Sequence, residues 1–262
     1  MKLSKIISYL EEKFPLNLSE EWDNVGLLVG RRDSKIEKIL LSLDVTDKVI
    51  DEAIEVGANL IITHHPVIFK PLKAVTGDTT LGKKVLKLIE NRIAVYSMHT
   101  NLDSAKSGLN DFLGETVLNF GKGKILEKSE LNGREFGIGR IYKLDTPINI
   151  KKLSQNMKET LGLDCINVVT SDENLSIKKI ALVSGAGSTY WRKAKKLGAD
   201  ILLTGDIKYH EAMDAKEENF SLMDIGHFES ECIFVKHLKT IIEKEFKLEI
   251  LHFNDGPVFQ KM

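Results

Sequence analysis

The sequence predicts an α/β fold of two similar lobes, each built on a duplicated strand–helix–strand unit, with a metal site in the cleft between them. Three observations predict it. Short apolar runs alternate with stretches at helical spacing, the pattern of parallel strands joined by helices. Residues 36–65 align without a gap on residues 177–206, at an offset of 141. Histidines and carboxylates gather directly after the apolar runs, at the strand ends where such units carry their functional loops.

The elements follow in chain order. Ile6, Ile7, Leu10 and Phe14 form a helical stripe behind a candidate cap at Ser4. EEWDNVGLLVG, residues 20–30, reads as a loop entering a short strand, and KILLSL (38–43) as a buried strand. Thr46 can cap a helix that buries Val49, Ile50, Ala53 and Ile54 and stops at Gly57. Leu60, Ile61 and Ile62 form a strand with Thr63, His64 and His65 at its end. A helix over 81–90 and a strand over 93–98 follow, and that strand runs into HTNLD. FGKGK breaks the pattern near residues 121–124, which places the lobes at 1–124 and 125–262, with the C-terminal helix and strand able to pack back on the first. Beyond it lie a strand of a hairpin (133–144), a helix (149–161) and a strand (164–170). A last helix over about 230–245 buries Phe234, Leu238, Ile241 and Ile242, and LEILHFNDGPVF adds a strand and a turn.

The repeat is specific. Ile36, Lys38, Ile39, Leu41, Ala53, Gly57, Ala58 and Thr63 recur as Ile177, Lys179, Ile180, Leu182, Ala194, Gly198, Ala199 and Thr204. The following strand of each copy ends in a histidine with a carboxylate four residues on: His99 with Asp103, and His227 with Glu231.

Bulk properties exclude several classes. Apolar residues make up 42% and charged residues 29%, with a net charge of −1. A general nucleic-acid binder carries a basic excess, so composition argues against that role. Two distant cysteines, Cys165 and Cys232, make neither a disulfide framework nor a zinc ribbon. MKLSKIISYLEEKF has no apolar signal-peptide core, and no run reaches about eighteen apolar residues, so the chain reads as a soluble cytoplasmic protein.

The chemistry rests on imidazole and carboxylate. His64 and His65 would point to opposite faces of a regular strand, but before Pro66 the chain leaves the ladder and can turn both rings into one cleft. Diverging rings suit two ions better than one. With Asp103, His227 and Glu231 they form a nitrogen–oxygen donor set without thiolate, which suits two divalent ions from among Zn, Fe, Mn, Co and Ni. Glu231, one turn from His227 if that segment is helical, is the candidate bridge. Two ions about 3.5–4 Å apart share and acidify a water. The plainer alternatives are a surface or core histidine at 64–65 and helix-start ion pairs at the two His-x3-carboxylate sites. His99 is either a ligand or the group that orients Asp103.

Three residues are candidates for proton handling: His99, Asp206, which takes the place of His65 in the repeat, and His210 in TGDIKYHEA, which is equally readable as a capping histidine. SGAG (184–187) follows a strand and opens a helix, so its N–H groups could bind phosphate. Tyr190 stands where a dinucleotide fingerprint needs its third glycine. GDTTLGKK (77–84) lacks the Ser/Thr and the preceding strand of a phosphate-binding P-loop. Glu21, Trp22, Asp23 and Asn24 either line a pocket or form a capped turn.

EEWDNVGLLVG, ITHHPVIFKPL, YSMHTNLD, SGAGS, LTGDIKYHEAMDA and DIGHFESE, in this order across nearly the whole chain, resemble the NIF-three-like family, also called the GTP cyclohydrolase I type 2 family. The resemblance implies a dinuclear metal centre whose ligand pattern falls on His64, His65, Asp103, His227 and Glu231. It also implies a ring-shaped homohexamer with its metal sites facing an inner cavity. Some relatives carry an extra domain between the halves, and here only a short connector stands there. Opening of the guanine imidazole ring would suit such a centre, although no residue here specifies guanine. Two functions compete: a metal-dependent hydrolase of a small nucleotide-like or phosphorylated substrate, and a non-catalytic metal-binding ring or interaction scaffold. Nucleic-acid binding through the ring is a third, opposed by the charge.

Overall fold

The computed structural model describes residues 1–131 and 133–259. From the N-terminus these form α1 (Leu3–Lys13), β1 (Gly26–Val29), β2 (Lys38–Ser42), α2 (Asp47–Glu55), β3 (Leu60–Thr63), α3 (Thr80–Glu90), β4 (Ala94–Ser97) and α4 (Thr100–Ser104). Next come α5 (Leu109–Asp111), which runs on as a π-helix over Phe112–Val117, then β5 (Lys124–Ile125), β6 (Ser129–Leu131), β7 (Arg134–Phe136), β8 (Arg140–Asn149), α6 (Ile150–Leu161), β9 (Asn167–Val169) and β10 (Ser176–Leu182). The chain continues with α7 (Trp191–Lys196), β11 (Ile201–Thr204), α8 (Tyr209–Glu217), β12 (Ser221–Asp224), α9 (His227–Glu231), α10 (Phe234–Glu245) and β13 (Glu249–His252). Among the described residues, no helix is long and apolar enough to cross a membrane.

These elements form two compact units. Unit 1 holds residues 1–102 and the C-terminal segment from Phe234; unit 2 holds Asp103–Ile233. The sequence places the break near residues 121–124 instead. Lys124 and Ile125 pair with β8, which binds them to the sheet of unit 2. β13 pairs in parallel with β2, which places the C-terminal strand in unit 1. Residues 260–262 of the expected second lobe lie outside the described residues.

The sheet of unit 1 runs β1-β4-β3-β2-β13. β4, β3 and β2 are parallel, and β1 lies antiparallel on the edge. Its central strands are buried on both faces, as parallel strands under helices are. Val49, Ile50 and Ala53 of α2 pack with Leu40, Ile61 and Val95. Thr46 accepts from the Val49 N–H, and Gly57, at φ +70°, turns the chain out of the helix. Ile54, expected in the core, is exposed.

Unit 2 carries a sheet in the order β5-β8-β10-β11-β12-β9, with β10, β11 and β12 parallel. The segments aligned by the repeat are therefore β2–α2–β3 in one unit and β10–α7–β11 in the other. In unit 2 two apolar layers flank the sheet. One is built on Tyr142, Ile180, Leu203 and Met223, and the other on Ala181, Trp191, Leu202 and Leu222.

Three local expectations change. The α1 helix needs no cap from Ser4, because the Leu3 and Ser4 N–H groups donate to the Ser34 and Arg32 carbonyls. The expected strand 133–144 is two strands, β7 and β8, parted at Gly137 and Gly139, which both hold positive φ. The last helix is broken at residues 232–233 into α9 and α10. That break gives His227 and Glu231 a short helix of their own, and Ile241 is only half-buried.

Candidate metal centre

In unit 1, β3 and β4 run parallel and end together, with Thr63 opposite Ser97. Their side chains hydrogen-bond at 3.0 Å, and Thr63 also donates to the His65 carbonyl at 2.9 Å. The chain after β3 is thus held as it leaves the sheet, and His64, His65 and His99 emerge at one end. Ring centroids of His64 lie 5.2 Å from those of both His65 and His99, and His65 lies 5.5 Å from His99. One ring nitrogen from each fits within a 4.8 Å group. His64 is buried, and the other two are half-buried.

Each of the three rings has its Nδ1 fixed by an oxygen. His64 Nδ1 donates to the Met98 carbonyl at 2.8 Å, His65 Nδ1 to Asp44 at 2.9 Å and His99 Nδ1 to Asp23 at 2.9 Å. An oxygen partner on Nδ1 is the arrangement that orients metal-ligating imidazoles. Asp23 also accepts from the Thr100 N–H at 3.0 Å and hydroxyl at 2.5 Å. Burial acts to raise its pKa, but the bonds from His99 and Thr100 and the charge of His99 outweigh this and hold it down at about 2. Asp23 therefore stays an anion. Sequence reasoning did not find Asp44; its signal is a carboxylate just past β2, the strand next to β3.

In unit 2, His227 and Glu231 stand one turn apart on α9, with Nε2 2.9 Å from Oε2. His227 Nδ1 meets Asp206 at 2.7 Å. Carboxylates thus face both ring nitrogens of His227, and Glu231 is buried. Asp206, expected to handle protons, is engaged as the partner that orients His227. Its backbone sits at φ +50°.

Three of the four N–H groups of the SGAG segment are engaged within the chain. Ser184 donates to Asn110, Gly185 to Ser230 and Gly187 to Thr204. The segment instead walls in Glu231: a Cβ on Gly185 would lie 2.1 Å from Glu231 Oε1. A Cβ on Gly205 would lie 2.5 Å from the His227 backbone N. These glycines are sequence signals of close approach that motif matching passed over.

Asp103 is buried in α4, and its carbonyl accepts from Asn110. Nearby, the buried Arg140 guanidinium donates to Asp111 and to the Ala105, Gly137 and Gly139 carbonyls. It anchors the segment that follows Asp103, a role invisible to local pattern. His210 is exposed on α8, its ring edge-on to Tyr209. Thr79, within GDTTLGKK, caps α3 by accepting from Gly82, so that segment is a helix start.

The donor set fits a divalent cation. Imidazoles oriented by oxygen partners and buried carboxylates, without thiolate, suit Zn, Fe, Mn, Co or Ni. Cys165 is exposed, and Cys232 has its thiol pKa pushed up by burial, so neither is a ready ligand.

Comparison with known proteins agrees. A "GTP cyclohydrolase 1 type 2 homolog" from Clostridium perfringens is 48% identical over 231 residues, covering 88% of this chain and 87% of that one. The crystal structure of Staphylococcus aureus hypothetical protein SA1388 superposes with a TM-score of 0.91 at 29% identity, covering 100% and 99% of the two chains. That of a Bacillus cereus protein related to NIF3 gives 0.89 at 25% identity, with 100% and 99% covered. The Duf34/NIF3 (NGG1p interacting factor 3) family model matches residues 1–256, so the chain belongs to that family.

Proposed function

We propose that this chain is a divalent-metal protein with a dinuclear centre held by His64, His65, Asp103, His227 and Glu231. It hydrolyses a small nucleotide-like or phosphorylated substrate. The observation that carries the reading is the clustering of His64, His65 and His99, one ring nitrogen of each lying within 4.8 Å of the others, with the rings held at Nδ1 by Met98, Asp44 and Asp23. His227, held by Asp206 and next to Glu231, supports it from unit 2. Two divalent ions would supply Lewis-acid polarisation of a substrate oxygen and would acidify water.

The chain's own groups do the remaining work. Glu231, walled in by Gly185, offers two oxygens from a fixed position, as a bridging carboxylate must. His99, with Nδ1 on the anionic Asp23, takes or returns a proton at Nε2. Asp206 positions His227. The name carried by the relatives makes a purine nucleotide the first substrate class to try. By resemblance the chain assembles as a homohexameric ring.

The test is elemental analysis of purified and reconstituted protein, beside turnover of a nucleotide and phosphoester panel. We expect two ions per chain, and at most one in Glu231→Ala, with turnover lost. Full loading without turnover on any substrate would favour a non-catalytic metal-binding ring. Failure to load any divalent metal would end the reading. Light scattering tests the ring, with six times the chain mass expected.

A further inference from the structure

Next to the three histidines of unit 1 lies an aromatic feature that metal binding does not use. Trp22 is 57% exposed and Phe69 47%. Large aromatic side chains are mostly covered in folded proteins, so two exposed side by side call for a reason. Their centroids are 5.7 Å apart, and each also meets the His99 ring, at 5.9 Å and 6.4 Å. The three rings form one aromatic wall that ends at His99, the residue proposed to move a proton.

The wall is built, not incidental. Asn24 Nδ2 donates to the Ile68 carbonyl at 2.5 Å, tying the Trp22 loop to the Phe69 loop. Asn24 N–H donates to Asp23, and Asp23 is held by His99 and Thr100. The Glu20 N–H donates to the Thr100 hydroxyl. Loops tied in this way hold the two aromatic residues side by side, and preorganisation lowers the cost of binding a small molecule. Lys70 and Lys73 are exposed on the Phe69 loop and make no ion pair among the described residues, which suits an anionic tail.

We propose that Trp22 and Phe69 form a stacking ledge for a planar heteroaromatic ring, the base of a nucleotide-like substrate, beside the His64–His65–His99 cluster. This rests on reading the cluster as a substrate-processing centre and names the part of the substrate that unit 1 selects. Stacking tolerates any base and makes the ring, not the phosphate, the main determinant of affinity.

The experiment uses intrinsic fluorescence. Of the two tryptophans, Trp191 is buried and bonded to Glu211, so a ring stacking on the exposed Trp22 quenches a separable component. The full-length protein, metal-free and zinc-loaded, is titrated with guanosine 5′-monophosphate and with ribose 5-phosphate. The nucleotide should quench and bind about tenfold or more tighter than the sugar phosphate. Trp22→Ala, read by calorimetry because the reporter is gone, should abolish the preference, with zinc content unchanged. Phe69→Ala, read by calorimetry, should weaken the nucleotide several-fold, and Trp22→Phe should retain most of the affinity. Equal binding of both probes, or full nucleotide affinity in both alanine variants, overturns the proposal. So does a changed oligomeric mass in either variant with nucleotide affinity intact, which would assign the rings to contact between copies. Zinc content is read separately, so failure of the metal centre leaves the stacking result legible in metal-free protein.

Discussion

Asp23 is a side chain on which the histidine cluster of unit 1 depends, although it points at no expected ligand site itself. It accepts from His99, from the Thr100 N–H and from the Thr100 hydroxyl. Replacing it by alanine strands a backbone donor and frees the His99 ring. We expect Asp23→Ala to cost about 1–3 kcal/mol in urea unfolding. We also expect metal affinity to fall about 10–100-fold in competition with a chelator. The pH dependence follows from the depressed pKa of about 2 against an ordinary 3.8. The folded protein favours the anion, so the contribution is complete above the ordinary value and fades as pH falls from about 4 toward 2. The stability gap between wild type and Asp23→Ala should close over that window, and a gap unchanged down to pH 2 would refute the assignment. In sequence, EEWDN offered either a pocket or a capped turn, and the structure shows why local pattern cannot decide. Besides the adjacent Asn24 N–H, the hydrogen-bond partners of the Asp23 carboxylate, His99 and Thr100, stand 76 and 77 residues away.

At the scale of elements, the contrast between two glycines tests how Glu231 is placed. Gly162 closes α6 at φ +69° with nothing within 4 Å of an added Cβ, and Gly185 has a similar φ of +62° but faces Glu231 at 2.1 Å. Alanine at either position bears the left-handed cost of roughly 1–2 kcal/mol. Gly162→Ala should show that loss alone in thermal unfolding, with metal content unchanged. Gly185→Ala should lose more stability and also metal, because Glu231 must move. Equal behaviour of the two variants in metal content would show that the SGAG segment does not position Glu231. Where an element was legible, a local rule sufficed: Thr46 before α2, Gly57 after it, and buried strands read from LIIT and ILLT. Where it was not, a distant partner had replaced the local signal. The Ser34 and Arg32 carbonyls start α1 in place of a cap, and three of the four N–H groups of SGAG are taken by Asn110, Ser230 and Thr204. The His-x3-carboxylate spacing of His227 and Glu231 was legible because both lie on one helical turn.

For the whole molecule, the division into units was the least legible feature, because it depends on which strands pair across the chain. Nothing local in LEILHF states that it joins β2, about 210 residues earlier, yet that pairing makes β2 an interior strand. The consequence is an asymmetry in autonomy. Unit 2 is one continuous segment with its own sheet and its own apolar layers. Unit 1 is discontinuous. Without Phe234–Glu245 and Glu249–His252, β2 becomes an open edge carrying buried residues, and the apolar side chains of Phe234, Leu238 and Ile242 are withdrawn. Exposed apolar edges aggregate. Residues 103–233 expressed alone should therefore give a cooperative thermal transition by circular dichroism. Residues 1–102 should be insoluble, and adding residues 234–262 as a separate or linked peptide should restore solubility. A stable, monomeric 1–102 fragment would mean that the sheet of unit 1 does not need its C-terminal strand, and the assignment of that segment to its core would fail.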